Sequence, residues 1–370
     1  MTQQLRYAVI GAGMMGQEHM RYIALLPGAT VTAIADPHAE SVEAAIRLLG
    51  HGVKVFDNHR ELLASDAFDV LVIATPNDTH RAILQDIFAA SRSFPTLVEK
   101  PICTTLDDCR WLASAASQHR APIWIGMEYR YMPPFRAMLE EIRNGAIGTP
   151  RMFSIREHRH PFLPKVGNWN RFSERTGGTL VEKCCHFFDL MRLVAGGDAV
   201  RVFASGAADV NHRDERYEGR VPDMIDNAYV VVEFDNGMRA SLDLCMFADG
   251  SDWQEEFSVV GDQGKIECFV PGALKHWPDR GERHAELLMC PRDPKGPVRR
   301  IVPVAPHLLS LGAHHGSTYY EHLDFRQAAA GEAPVEVTVD DGVRAVVIGL
   351  AAEKSIRERR PVDIDGLTLA

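Results

Sequence analysis

Hydrophobic positions in the first 127 residues fall into short, unbroken runs. Residues 6–10 (RYAVI), 30–35, 53–56, 70–74 (VLVIA), 96–98 and 122–126 are each bounded by turn residues. Between them, apolar residues recur at helical spacing. Met20, Ile23, Ala24 and Leu25 share one face, and residues 61–64, 79–90 and 105–117 follow the same habit. Strands buried on both faces read as continuous apolar runs, and strands alternating with helices predict a parallel, doubly wound sheet.

From Thr149 the pattern changes. Residues 151–157, 199–207, 228–234, 239–246, 256–261 and 264–268 alternate apolar with polar, the period of a sheet with one wet face. Asp235-Asn236-Gly237 and Gly261-Asp262-Gln263-Gly264 read as hairpin turns. A glycine turn at Gly177-Gly178 opens a helix over 178–193, expected to lie on one face of this sheet. The other face is a candidate surface for a homodimer or homotetramer. Residues 272–306, rich in Pro, Arg and Asp, read as an irregular excursion. The expected architecture is α/β. An N-terminal Rossmann doubly wound sheet (residues 1–127) precedes a C-terminal α+β domain (128–370) with a large, mostly antiparallel sheet. The C-terminal helix is expected to pack back on the first domain.

A length of 370 residues suits two domains at roughly 100–200 residues each. Forty basic against 50 acidic residues give a net charge of −10, which argues against nucleic acid as a partner. The seven cysteines form no C-x-x-C pair and read as reduced thiols of a cytoplasmic protein. A strand begins by Leu5 with no signal-like segment before it, and no apolar run approaches the roughly 18 residues of a membrane span.

The first strand runs into Gly11-Ala12-Gly13-Met14-Met15-Gly16, and a helix follows. In such a motif the first glycine makes the turn, the second admits a pyrophosphate, and the third brings helix and sheet together. Asp36 ends the second strand, where a carboxylate accepts the adenosine ribose hydroxyls and would repel a 2′-phosphate. NAD is therefore expected rather than NADP. Ligands of such sheets lie at the carboxyl ends of the strands. That singles out Thr75-Pro76-Asn77, Glu99-Lys100-Pro101 and Glu128-Tyr129-Arg130.

At these residues the chain resembles the glucose–fructose oxidoreductase / inositol dehydrogenase / rhizopine catabolism (Gfo/Idh/MocA) family. The resemblance rests on G-x-G-x-x-G, on Ala74-Thr75-Pro76-Asn77 with His80, on Glu99-Lys100-Pro101, and on GGTLVEKCCHFFDL from Gly177 to Leu190. Residues 319–357 also resemble the family's closing helix–strand–helix. The resemblance implies nicotinamide-dependent oxidation of a secondary hydroxyl on a sugar, anhydrosugar or cyclitol (an inositol), or its reversal on a keto sugar. A regulator of this fold that binds nucleotide without catalysis would be expected to lose the lysine or the histidine, and this chain keeps both.

Oxidising an alcohol needs a hydride acceptor on the carbon and a proton acceptor on the oxygen. Lys100 sits where the nicotinamide end should lie and can hold the substrate oxygen. Burial beside a cationic nicotinamide is expected to lower its pKa. Glu182 and His186 are spaced i, i+4 and so share a helix face. The resemblance implies that the histidine takes the hydroxyl proton, with the acid orienting it or contacting a substrate hydroxyl. The commoner family acid at this position is Asp, so Glu182 shifts the carboxylate by about 1 Å, enough to alter substrate fit. Lys183 reads as a structural salt bridge, and Cys184 and Cys185 as packing residues. Further substrate-binding candidates are Glu128, Tyr129, Arg130, Asn168, Trp169, Asn170, Arg171 and His315, with His158, Arg159 and His160 as a basic loop nearby. No metal is expected, because no Cys or Asp completes a ligand set around His314-His315.

Overall fold

The computed structural model describes residues 4–273, 281 and 283–364. The first domain contains β1 (Leu5–Ile10), α1 (Met14–Ile23), β2 (Ala29–Ala35), α2 (Ala39–Leu49), β3 (Lys54–Phe56) and α3 (His59–Leu63). It continues with β4 (Val70–Ile73), α4 (His80–Ala89), β5 (Thr96–Glu99), α5 (Leu106–Ala116) and β6 (Ile123–Gly126). The six strands are parallel, in the order β3-β2-β1-β4-β5-β6. The order reverses between β1 and β4, which opens a crevice at their carboxyl ends.

The second domain begins with α6 (Pro133–Arg143), β7 (Pro150–His158), α7 (Ser173–Thr176), α8 (Thr179–Glu182) and α9 (Cys185–Ala195). Next come β8 (Ala199–Ala207), β9 (Asn227–Phe234), β10 (Arg239–Cys245), β11 (Glu255–Gly261), β12 (Gly264–Val270), β13 (Ala285–Pro291) and β14 (Val298–Val302). It closes with α10 (Pro306–Leu309), α11 (Ser317–Ala329), α12 (Val339–Glu358) and β15 (Val362–Asp363). The sheet has nine strands, ordered β14-β13-β12-β11-β7-β10-β9-β8-β15. It is antiparallel except where β7 and β10 run parallel.

Three local expectations change. The 272–306 stretch is not wholly irregular: β13 and β14 form a hairpin on the sheet edge, while residues 274–280 and 282 lie outside the described residues. The Pro, Arg and Asp that suggested an excursion make its connecting turn. The helix over 178–193 is split at Lys183-Cys184 into α8 and α9. No strand forms between α11 and α12. One backbone bond, from Ile125 N–H to the Val337 carbonyl, joins that connection to β6. Among the described residues, no helix is long and apolar enough to cross a membrane.

Helix α12 ties the two domains together. Thr338 and Asp341 form a reciprocal capping box at its start. A Cβ on Gly342 would meet Ile125 and Ile102 of the first domain, and one on Gly349 would lie 2.6 Å from the Leu180 carbonyl oxygen. At an open helix position, Gly→Ala raises stability by about 1 kcal/mol. At Gly349 the added methyl collides with backbone, and overpacking costs about 1–3 kcal/mol. Gly349→Ala should therefore lower the midpoint of denaturant unfolding, and a raised midpoint would contradict this packing.

Candidate active site

The crevice above β1 and β4 is a cavity of about 780 Å³, lined by residues of both domains. Its floor is the glycine turn. Gly11 adopts φ +93°, and a Cβ there would sit 2.6 Å from the Ala74 carbonyl oxygen, so only glycine lets β1 and β4 part at this point. A Cβ on Gly16 would lie 1.9 Å from the Gly11 oxygen, which explains the close seat of α1. Gly13 is different. It lines the cavity and, its chain neighbours apart, nothing lies within 4 Å of its missing Cβ, so the space kept there is open to a ligand. Helix α1 has no side-chain cap and no acid in its first turn. Its free N–H groups and positive dipole end suit a pyrophosphate. Asp36 accepts the backbone N–H of Ala12 at 2.7 Å and of His38 at 2.8 Å. A carboxylate has about four lone-pair sites, so two such bonds leave room for ribose hydroxyls. These residues fit a dinucleotide.

Met14, Met15, Thr75, Pro76, Asn77, Glu99 and Lys100 also line the cavity, together with Lys165 and Trp169 from the second domain. The Lys165 ammonium lies 4.5 Å from the centre of the Trp169 ring and 3.2 Å from Glu182 Oε1. Lys165 escaped sequence reasoning, since a lone lysine in a Pro-flanked loop carries no periodic signal. His80 does not face the cavity. Its ring nitrogens lie 3.0 Å from the Pro101 carbonyl and 3.1 Å from that of Thr75, which ties the two strand-end turns together.

At the inner end, the Lys100 ammonium donates to the Glu182 backbone carbonyl at 3.1 Å. Burial opposes its charge, but Glu182, Cys185, Glu99 and Glu128 outweigh burial and raise its pKa. This reverses the expected lowering in the protein without cofactor, because carboxylates face the ammonium from several sides. Burial likewise pushes Glu182 up, yet Lys165, Lys100 and an amide donor from Asn77 hold it at about 2. Its carboxylate turns to Asn77 and Lys165, not to His186, since the break after α8 parts the two side chains.

His186 instead stacks face-on against Tyr129, with ring centres 4.3 Å apart and planes 13° from parallel. Burial, then the charges of Lys100 and Lys183, hold its pKa well below 6.5. Its Nδ1 is buried without a hydrogen-bond partner. The ring is therefore neutral and able to accept a proton. Lys183 is 2.9 Å from Glu157 and donates to the Tyr129 hydroxyl at 2.6 Å, so the expected structural salt bridge sits in a buried network. Tyr129 in turn donates to Glu255 at 3.2 Å. A second, polar cavity of about 470 Å³ adjoins this network and is lined by His158, Arg159, His160, Asp249, Ser251 and Gln254. Arg159 approaches Glu157 and Gln254 bonds Glu255, so residues lining this cavity touch the carboxylates that hold Lys183 and Tyr129.

Other candidates are held by protein partners. Arg130 is buried and bonded to Asp189 at 2.5 and 2.6 Å. Asn170 donates to the Leu163 carbonyl, and Arg171 to Glu215 and the Phe162 carbonyl. Asn168 takes up φ 51° within the loop. These residues shape the 162–171 loop and the base of α9. His315 is turned to the Pro271 carbonyl at 2.9 Å, and burial lowers its pKa to about 4. Its neighbour His314 faces the site. It lies 3.0 Å from Glu128 and 3.5 Å from Glu18, with its ring centre 5.7 Å from that of Tyr129. Glu128 also accepts the Ser317 and Thr318 hydroxyls. Burial opposes the His314 charge, but Glu128 and Glu18 raise its pKa to about 10. Glu18, Glu128 and His314 thus bring three ligand-type atoms within 4.8 Å, a set of glutamates that sequence reasoning did not see. The firmly held proton on His314 makes the group an ion pair.

The scyllo-inositol 2-dehydrogenase (NAD(+)) of Bacillus subtilis is 26% identical over 99% of this chain and 98% of its own. The rhizopine catabolism protein MocA of Rhizobium meliloti is 27% identical over 94% of each. Levoglucosan dehydrogenase, solved with NADH and levoglucosan, superposes with a TM-score of 0.80 at 21% identity, covering 98% of this chain and 100% of that one. The family profile "Oxidoreductase family, NAD-binding Rossmann fold" matches residues 5–127, and "Oxidoreductase family, C-terminal alpha/beta domain" matches 139–364. With both profiles matched in order, the chain belongs to the Gfo/Idh/MocA oxidoreductase family.

Proposed function

We propose that the chain is an NAD-dependent dehydrogenase that oxidises a secondary hydroxyl of an inositol-like cyclitol, or of a pyranose or anhydrosugar, to the ketone. The observation that carries this reading is the buried neutral imidazole of His186 near the charged Lys100, the residue that lines the inner end of the dinucleotide cleft. The inositol and levoglucosan dehydrogenases among its relatives support the substrate class. Bound NAD supplies the hydride acceptor. Lys100 donates a hydrogen bond to the substrate oxygen and holds it. His186 takes the hydroxyl proton as the carbon gives up its hydride. Glu182 keeps Lys100 charged, holds Lys165 and Trp169 in place over the cleft, and through Asn77 ties the second domain to the first. The polar cavity lined by His158, Arg159, His160 and Gln254 suits the remaining ring hydroxyls. A charged Lys100 is also the donor that reduction of a keto sugar needs, so the same groups serve the reverse reaction.

Residues 1–127 as cofactor domain, 128–370 as substrate domain, and a cytoplasmic location belong to the same reading. So does self-association through the outer sheet face. Tyr229 is 68% exposed there and lies beside Val231, with Phe203 opposite Val231 on the neighbouring strand.

Purified protein supplied with NAD and a panel of inositols, pyranoses and anhydrosugars should form NADH with one class. Lys100→Met and His186→Ala should each lower kcat by about 10²–10⁴-fold. Near-normal turnover in both variants would defeat the mechanism. Asp36→Ala should weaken NAD binding and narrow the preference over NADP, and an unchanged preference would remove its assigned role. Because the His186 pKa lies well below 6.5, the base stays neutral as the solution is acidified through that value. The acid limb of kcat/KM, which reports the free enzyme, should therefore fall below pH 6.5. A limb above that value would assign the base elsewhere.

A further inference from the structure

Behind the cleft runs a buried chain of side chains that the chemistry above does not use. The Glu99 carboxylate is shared between two partners. Oε2 accepts the backbone N–H of Lys100 at 3.1 Å, and Oε1 lies 2.8 Å from His19 Nε2. His19 Nδ1 lies 2.9 Å from His322 Nε2. Both histidines are wholly buried and Glu99 nearly so. The three come from α1, β5 and α11, so the chain crosses from the second domain to the turn that carries Lys100.

The direction of its protons follows from the far end. Burial, then the neighbouring His19, hold the His322 pKa well below 6.5, so that ring is neutral. Its Nδ1 is buried without a partner. An unpaired buried N–H is the rarer and costlier arrangement, so the lone pair sits on Nδ1 and the proton on Nε2. Nε2 then donates to His19 Nδ1, which leaves the His19 proton on Nε2, aimed at Glu99. Every donor in the chain points toward the carboxylate. His322 is in turn packed edge-on between Tyr7 and Phe325, at ring-centre distances of 5.7 and 6.3 Å.

We propose that His19, backed by His322, is a positioning residue for Lys100. It fixes the Glu99 carboxylate that grips the Lys100 backbone N–H, and so sets where the lysine side chain starts. The inference rests on the dehydrogenase reading, in which Lys100 holds the substrate oxygen. The geometry gives a reason for the arrangement. A buried carboxylate needs donors. With His19 in place, one of its oxygens is satisfied from behind and the other is left for the lysine turn. Without His19 the carboxylate is free to rotate toward other donors, and a reacting group displaced by about 1 Å loses about 10²-fold in rate.

The test uses the full chain. His19→Leu removes both ring bonds at similar bulk, whereas His19→Gln keeps an amide donor at the ε position. His19→Leu should lower kcat by about 10²-fold while leaving NAD affinity and substrate KM unchanged, and His19→Gln should recover most of the loss. An intact kcat in His19→Leu, or an equal loss in both variants, would overturn the proposal. His322→Phe, which can pack against Tyr7 and Phe325, should give a smaller loss in kcat alone. It serves as the second probe if His19→Leu does not fold, and an unchanged kcat in it would count against the chain. In the wild-type protein, ¹⁵N ring shifts should place the protons of His19 and His322 on Nε2. A proton on His19 Nδ1 would overturn the assignment. A wild-type protein that turns over nothing in the panel defeats the dehydrogenase reading, and the ring-nitrogen measurement then still decides the chain.

Discussion

Charge placed where water cannot reach it must be paired, and that constraint organises the whole site. Glu128, Glu157, Glu182, Glu255, Lys183, His186 and Arg130 are all buried within one region. Each ionised group there has a partner of opposite sign: Arg130 with Asp189, Lys183 with Glu157, Glu182 with Lys165, Glu128 with His314. His186 has no ion-pair partner: burial first, then Lys100 and Lys183, lower its pKa against the pull of Glu128. Removing one partner of a buried pair costs far more than removing an exposed pair, because it strands the other charge. The same pairs that hold the fold therefore set which group carries a proton.

The two domains meet through α12 and through bonds that cross between them, from Asn77 and Lys100 to Glu182 and from Arg175 to Asp78. The cleft is not a property of the Rossmann domain by itself. Its floor, the glycine turn and the ends of β4 and β5, belongs to the first domain. Its cover, Lys165 and Trp169, comes from the second and is tied down by Glu182. Lys100 is reached from behind through Glu99 and from in front through the Glu182 carbonyl. A change in how the domains sit would be felt at the lysine from both sides.

Much of the fold was legible because local pattern and tertiary environment agree. Fully buried parallel strands read as unbroken apolar runs, as residues 70–74 do, and half-wet strands alternate, as β9 does. Legibility failed where a turn's composition outweighed a short alternation, as at β13–β14. It failed again where helical periodicity hid a break, as at Lys183-Cys184. At the site, the residues placed by strand ends were found from sequence. Which way a side chain turns once there was not. His314 and His315 are adjacent and chemically identical, yet one faces Glu128 and the other the Pro271 carbonyl.

The sequence by itself determined the glycine turn, the acid after β2, the lysine after β5 and the histidine on α9, because spacing along one strand or helix fixes such positions. It determined the two-domain plan for the same reason. Only the tertiary structure decided the partners. Glu18 and Glu128 come to His314 from positions far apart in the chain, as His19 does to His322, 303 residues away. No periodicity links residues so distant. Their meeting, and with it the protonation of each group, is set by how α1, α11 and the strand ends pack together.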